Sequence, residues 1–145
     1  MNSVSKTACL AVSLTLLAGN VQAQPSETLP LNQETTIGGV PVACAGVGDE
    51  ANEDARWPAY TTRIEFANSR AEYLSDLDIS ILNSSGRTVL SVTCESPWLL
   101  AKLAPGKYTV RATYDGRLTK SVRFSASDRG QVRTIVRFPE LGALQ

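Results

Sequence analysis

The chain has 145 residues with 14 Lys or Arg and 14 Asp or Glu, so its formal net charge at pH 7 is zero, and it contains no histidine. Without histidine, the usual zinc ligands and the usual general base of hydrolases are missing, so we expect no metal, no cofactor and no catalytic site. The neutral charge, together with the export signal predicted below, disfavours a nucleic-acid partner.

The N-terminus has the pattern of a secretory signal peptide. A short positive segment is followed by an apolar run at Ala8–Ala18, which is too short to span a bilayer. Val21-Gln22-Ala23 then offers residues that a signal peptidase accepts. We predict a signal peptide over residues 1–23, no membrane anchor after cleavage, and a periplasmic or secreted bacterial protein. A retained membrane anchor is the alternative.

The next segments predict a leader, a strand and a short helix. Residues 24–37 are polar, contain two prolines and show no periodicity, so we predict a flexible leader. Residues 38–48 are rich in glycine but lack the Gly-Lys-Ser/Thr of a phosphate loop and run into acidic residues. They therefore predict a strand with close backbone approach. A short helix is predicted over Asp49–Arg56, stopped by Pro58.

The mature chain would contain two cysteines, Cys44 and Cys94, because Cys9 lies in the predicted signal peptide. An even number of cysteines in an oxidising compartment predicts a disulfide. Closing a loop of this length would stabilise the fold by about 4 kcal/mol in the chain-entropy treatment. A pair of free buried thiols is the first alternative, and a metal site is the second.

From Tyr60 onward apolar and polar residues alternate, which is the pattern of strands half buried in a sheet. Many strands with short turns and almost no helix predict an all-β fold. Its architecture would be a β-sandwich of seven to eight antiparallel strands with at most one short helix. The sandwich is assigned to residues 38–140 and a C-terminal tail to 141–145. The strands predicted after Tyr60 are 61–67, 74–82, 87–93, 98–103, 107–114, 118–125 and 131–138.

Residues 103–117 predict the first strand and the loop of a β-hairpin, whose second strand is residues 118–125. A two-residue turn would place apolar and charged residues on one face, so we predict a three-residue loop, 115–117, with a positive φ at its glycine or a neighbour. This register sets Tyr108 opposite Phe124, and Tyr108 is also placed for a tyrosine corner. It puts Lys120 on the apolar face, where the ammonium needs an edge or a carboxylate partner.

Charge is unevenly distributed along the chain. Residues 24–101 contain eleven acidic and four basic residues, and residues 102–145 contain three acidic and nine basic ones. Strands from the two halves that pair within one fold would place opposite charges side by side. The alternative is a basic face for an anionic partner.

Outward positions of the last strands carry a candidate binding face. It consists of Arg111, Arg123, Arg133 and Arg137, interleaved with threonine and serine. An ordinary solvated face is the other interpretation. Trp98 is either a core residue, which we favour, or an exposed anchor for sugar or peptide.

Several motifs resemble the carboxypeptidase regulatory-like domain of the transthyretin-like sandwich group, in small exported bacterial proteins. The main one is Leu-x-Pro-Gly-x-Tyr-x-Val at 103–110, after the strand that begins with Pro-Trp at 97–98. Gly-Gly-Val-Pro at 38–41, Gly-Val-Gly-Asp-Glu at 46–50 and the strand at 74–79 complete the likeness, which covers residues 38–138. The resemblance implies an accessory or interaction module without catalytic residues of its own.

Three functions follow as hypotheses. The first is a non-enzymatic periplasmic or secreted module that binds another envelope protein. The alternative is a carbohydrate or envelope-polymer binding module, contacted through Trp98 and the arginines; the partner would then be an anionic cell-surface polymer. An enzyme would need a serine activated by lysine, for which Lys120 with Ser121 or Ser91 are the available residues, and we predict that the protein is not an enzyme.

Overall fold

The computed structural model describes residues 26–49 and 53–142, and the predicted signal peptide lies outside them. The described chain forms two five-stranded sheets packed face to face. No helix within these residues is long and apolar enough to cross a membrane. The strands are β1 (Glu27–Thr28), β2 (Thr35–Ile37), β3 (Val40–Ala45), β4 (Thr62–Asn68), β5 (Leu77–Asn83), β6 (Thr88–Cys94), β7 (Trp98–Ala101), β8 (Gly106–Tyr114), β9 (Leu118–Ala126) and β10 (Val132–Phe138).

Sheet A has the strand order β1-β6-β5-β8-β9, and sheet B has the order β10-β4-β7-β3-β2. The predicted all-β sandwich is confirmed. The described residues contain ten strands rather than seven or eight, because β1 and β2 add two short edge strands. Both sheets are mixed rather than antiparallel, since β1 runs parallel to β6 and β10 runs parallel to β4.

The core lies between the inner faces of the two sheets and follows the period-two pattern of the sequence. Ile64 and Phe66 of β4 face Ile79 and Ile81 of β5, and all four side chains are fully buried. Burial of each such side chain stabilises the fold by about 1.5–3 kcal/mol. The strands therefore adopt the orientation in which these apolar residues point into the core. The polar residues between them consequently lie on the outer faces.

The predicted disulfide is confirmed. Cys44 on β3 and Cys94 on β6 are bonded, with their Cα atoms 5.7 Å apart and both side chains buried in the core. Since β3 belongs to sheet B and β6 to sheet A, the bond joins the two sheets through the centre of the sandwich.

The hairpin of β8 and β9 has the predicted register. Tyr108 pairs with Phe124, and residues 115–117 form a three-residue loop in which Asp115 and Gly116 have φ values of 52° and 62°. The Tyr108 hydroxyl donates to the Ala104 carbonyl at 2.7 Å, as expected for a tyrosine corner. The apolar pattern of the two strands therefore determined their pairing.

The segment predicted as a flexible leader, residues 24–37, instead contributes to the sandwich over its described part. It carries β1 and β2, and it buries Leu29 against the core. The sequence pattern missed these strands because each is only two or three residues long.

Part of the predicted helix over Asp49–Arg56, residues 50–52, lies outside the described residues. Pro58 sits inside a short 3-10 helix, Trp57–Ala59.

Candidate functional site

The four arginines of the predicted binding face lie on two different faces of the molecule. Arg111 and Arg123 project from β8 and β9 on the outer face of sheet A. Arg133 and Arg137 lie on β10, which pairs with β4 in sheet B. The expectation of one continuous face was therefore wrong, because β10 crosses to the other sheet instead of pairing with β9.

Arg111 and Arg123 line a groove on sheet A together with Lys107. We call this groove, with these three residues, the cationic groove; its volume is about 500 Å³. All three side chains are exposed. In the hairpin register Lys107 pairs with Ser125, Thr109 with Arg123, and Arg111 with Ser121. Alternate residues of a strand share one face, so the three cations project from the same surface of the hairpin.

One wall of the groove is the turn between β5 and β6, which Asn83 holds in place. The Asn83 side-chain oxygen accepts hydrogen bonds from the backbone N–H groups of Ser85 and Arg87 at 3.1 and 3.0 Å. Gly86 completes the turn with a φ of 80°, and its N–H donates to the Asn83 carbonyl at 3.0 Å. Because the turn is closed by these bonds, the wall is formed before any ligand arrives.

The cations of the groove have no acidic partner among the residues that the structure describes. The salt bridges within these residues involve other side chains, such as Arg56 with Asp54 and Lys120 with Glu140. Three like charges in one groove repel each other, and an anion between them would relieve that repulsion. The groove is therefore electrostatically suited to a negatively charged ligand.

Hydroxyl groups surround the cations, while exposed aromatic rings do not. Thr109, Ser125 and Ser84 line the groove and can donate hydrogen bonds to ligand oxygens. Tyr108 and Phe124 also line the groove, but they hold inward positions of β8 and β9, and their rings stack on each other at the core side of the sheet with centroids 5.7 Å apart. A neutral sugar ring would thus find no open aromatic surface here.

Arg133 is bound into a buried cluster on the outer face of sheet B. Glu65 of β4 is only 1% exposed, and its Oε1 accepts hydrogen bonds from Arg63 Nε at 2.6 Å and Arg133 Nε at 2.7 Å. Burial alone would raise the pKa of Glu65, but the hydrogen bonds from Arg133 and Arg63 outweigh it and hold the pKa below its usual value. Arg133 is thus paired with a carboxylate 68 residues earlier in the chain, which it shares with Arg63.

Trp98 is buried at 2% exposure and belongs to the same side of sheet B. The Arg63 guanidinium lies 3.7 Å from its ring centroid, and Tyr73 meets the ring edge-on at 6.5 Å. Gly46 approaches so closely that an added Cβ would lie 2.5 Å from the indole. Trp98 is buried as expected of the predicted core tryptophan, but on the outer face of sheet B beside Glu65 rather than between the two sheets, and the alternative of an exposed anchor for sugar or peptide is wrong.

The residues considered for a serine nucleophile are kept apart. Lys120 lies on the apolar side of β9 and is bound to Glu140, while Ser121, the next residue, faces outward opposite Arg111. The Ser91 hydroxyl lies 3.4 Å from that of Ser26. The described part of the chain contains no group of three or more His, Cys, Asp or Glu residues placed to hold a metal ion.

The sequence interpretation missed Lys107 and the Asn83 turn as parts of the site. Lys107 shares the period-two alternation of Thr109 and Arg111, so the strand pattern contained the signal for it. The wall formed by the turn depends on β5 pairing with β8, which local sequence does not reveal.

Comparison with known proteins identifies no relative: no protein-family model matches the chain, and no curated protein is similar to it. The resemblance to the carboxypeptidase regulatory-like domain stays a prediction that rests on the motifs described above.

Proposed function

We propose that this protein is a non-enzymatic binding module of the bacterial cell envelope and that it holds an anionic polymer in the cationic groove. The observation that carries the proposal is the convergence of Lys107, Arg111 and Arg123 on one groove without an acidic partner among the described residues. Charged residues of a purely solvated face are usually interspersed with opposite charges, which would neutralise them.

The chemistry of the groove fits oxyanions. A guanidinium presents parallel N–H donors that match a carboxylate or a phosphate, and such charge-assisted hydrogen bonds are stronger than neutral ones. Arg111 and Arg123 supply two of these forks, and Lys107 adds a third charge. The cations follow the direction of the strands, which suits an extended chain better than a compact ion.

Two features of the sequence support an envelope location and a binding role. The N-terminal segment predicts export, and the resemblance to the carboxypeptidase regulatory-like domain implies an accessory module. A polymer is favoured over an envelope protein as the partner, because the aliphatic residue in the groove lining, Leu82, is half-buried, and the large apolar side chains exposed in the described part of the chain lie elsewhere. They are Leu31, Val47 and Tyr73.

Binding to immobilised polymers tests the proposal. The purified protein should bind polygalacturonate or poly(glycerol phosphate) and not neutral dextran, and binding should weaken as salt rises. The double variant Arg111→Glu/Arg123→Glu should lose this binding. Each single reversal, Arg111→Glu or Arg123→Glu, should also weaken binding; Arg137→Glu, which reverses one exposed arginine of sheet B, is the matched control for the single variants and should bind as the parent does.

Three results would contradict the proposal. The first is equal binding by the double variant and the parent, and the second is binding of neither anionic polymer. The third is selective capture of an acidic protein segment in place of both polymers, which would assign the groove to an envelope-protein partner. Circular dichroism and thermal melting of each variant would establish that the fold is intact.

A further inference from the structure

The cations of the groove form a row with a regular spacing. Lys107, Thr109 and Arg111 are successive outward positions of β8, and Arg123 of β9 lies beside Thr109. Along the strand direction the order of charges is therefore Lys107, Arg123, Arg111. Two residues of a strand advance by roughly 7 Å, so the row has a charge about every 7 Å and extends for about 14 Å.

The geometry points to a linear phosphodiester polymer that lies parallel to β8 and β9 and places three consecutive phosphates against Lys107, Arg123 and Arg111. This inference rests on the proposed function and deepens it by naming the ligand class. An extended chain with six backbone bonds between phosphorus atoms advances by roughly 7 Å, about the length of two peptide units, so each repeat matches one step of the row. A polyol phosphate has such a repeat.

The polar groups between the cations agree with a phosphodiester ligand. Thr109 and Ser125 line the groove, and neither hydroxyl has a hydrogen-bond partner among the described residues, so both can donate to phosphate oxygens. Tyr108 and Phe124 contribute to the lining of the groove, but they hold inward positions of β8 and β9, so their rings pack on the core side of the sheet and offer a nucleobase no stacking surface beside the cations. The geometry therefore favours a polyol backbone over a single-stranded nucleic acid.

Synthetic oligomers of propane-1,3-diol phosphate provide a probe with this repeat. Affinity should rise from one to three phosphates and change little beyond three, because the row contains three cations. Binding of the trimer should weaken between 50 and 200 mM salt, because the interaction is between exposed charges. Lys107→Gln, which removes an exposed charge at one end, should move the plateau to two phosphates and make the loss with salt smaller than in the parent.

The middle cation gives a test of spacing. Oligomers of nonane-1,9-diol phosphate have a repeat of roughly 14 Å, so two of their phosphates can reach Lys107 and Arg111 but none reaches Arg123. Arg123→Gln should weaken the propanediol trimer several-fold and leave the nonanediol oligomer unchanged. Arg137→Gln on sheet B is the matched control for both oligomers.

The outcomes separate this inference from the proposed function. Two results would overturn the match between phosphate repeat and cation spacing while leaving a groove that binds anions. One is that a single phosphate binds as tightly as the trimer. The other is that Arg123→Gln weakens binding of the propanediol and nonanediol oligomers equally. Binding of polygalacturonate without binding of the diol phosphates would also overturn the phosphodiester ligand alone. Tighter binding of a single-stranded oligonucleotide than of a diol phosphate with equal charge would assign a nucleic acid instead. If the parent protein bound none of these anionic ligands, or if no substitution in the cationic groove weakened their binding, both proposals would be contradicted.

Discussion

The cluster around Glu65 on sheet B and the cationic groove on sheet A use arginine in opposite ways. On sheet B, Arg63 and Arg133 converge on the buried carboxylate of Glu65, and Arg63 also covers the ring of Trp98. On sheet A, Arg111 and Arg123 project into a groove with hydroxyl neighbours and no carboxylate partner within the described residues. The same residue type therefore stabilises the fold on one face and is available to a ligand on the other.

This contrast shows that the role of an arginine on a strand can be assigned only when its neighbours on the adjacent strands are known. Arg133 and the groove arginines Arg111 and Arg123 all come from alternating segments of the C-terminal half, and their local sequences look alike. The decisive difference is Glu65, which a parallel pairing brings beside β10. Three changes test whether the two faces are as distinct as their contacts indicate.

The largest expected effect is on sheet B. Trp98→Ala removes a buried indole and the surface on which the Arg63 guanidinium rests, so the free energy of unfolding should fall by about 4 kcal/mol. Urea denaturation measures this loss. At temperatures where the variant is folded, the cationic groove should bind polygalacturonate as the parent does. Loss of binding with an unchanged free energy of unfolding would place Trp98 in the binding site and contradict the separation of the two faces.

An intermediate effect is expected at Glu65. Glu65→Gln leaves Arg63 and Arg133 without their counter-charge, and we expect a loss of about 2 kcal/mol at pH 7. This value lies below that of a fully buried pair because the Arg133 side chain is 55% exposed. Glu140→Gln, which breaks the exposed pair with Lys120, should cost much less because solvent screens that pair.

The pH dependence of the free energy of unfolding tests whether the charge of Glu65 causes the loss of stability in Glu65→Gln. The pKa of Glu65 is lowered in the folded state, so its contribution is present above the pKa of an unfolded glutamate, about 4.3. It is lost as the pH falls through the lower folded pKa. The difference in stability between parent and Glu65→Gln should therefore shrink below about pH 4. A difference that stays constant down to pH 2 would show that packing, rather than charge, explains the loss.

The smallest effect on stability is expected when Arg111 in the groove is given a carboxylate partner, as Arg133 on sheet B has in Glu65. Ser121 is exposed and pairs with Arg111 across the hairpin, so Ser121→Glu places a carboxylate beside that guanidinium. The free energy of unfolding should change by less than about 0.5 kcal/mol, whereas polymer binding should fall about as far as in Arg111→Gln, which also removes one net positive charge. Ser121→Gln, of the same size and without charge, should retain binding. Equal binding by both variants would show that Arg111 does not contact the ligand.

The sequence predicted the fold wherever the information was local. The register of β8 and β9 followed from two alternating strands and an odd loop, and the placement of Lys120 on the apolar face followed from that register. The disulfide followed from the number of cysteines and the predicted export. The hairpin needed only short-range patterns, and the disulfide, although it joins residues 50 apart, needed only a count of cysteines; the structure agrees with both.

Pairings between distant segments could not be predicted in this way. β10 follows β9 along the chain, and we placed Arg133 and Arg137 on one face with Arg111 and Arg123, but β10 pairs in parallel with β4 in the opposite sheet. The cluster around Glu65 and the wall of the groove at Asn83 both depend on such pairings. Parallel strands need no tight turn between them, so no turn sequence marks their register.

Lys120 affects whether strands of neighbouring copies of the protein can pair with each other. β9 is a nine-residue strand at the edge of sheet A, the kind of edge that pairs readily with a strand from another molecule. An incoming strand would have to pass the ammonium that Lys120 turns inward and its partner Glu140. A long polymer that gathers many copies side by side would bring such edges together at high local concentration. The inward lysine then opposes their fusion into a continuous sheet, so crowding on the polymer need not lead to aggregation.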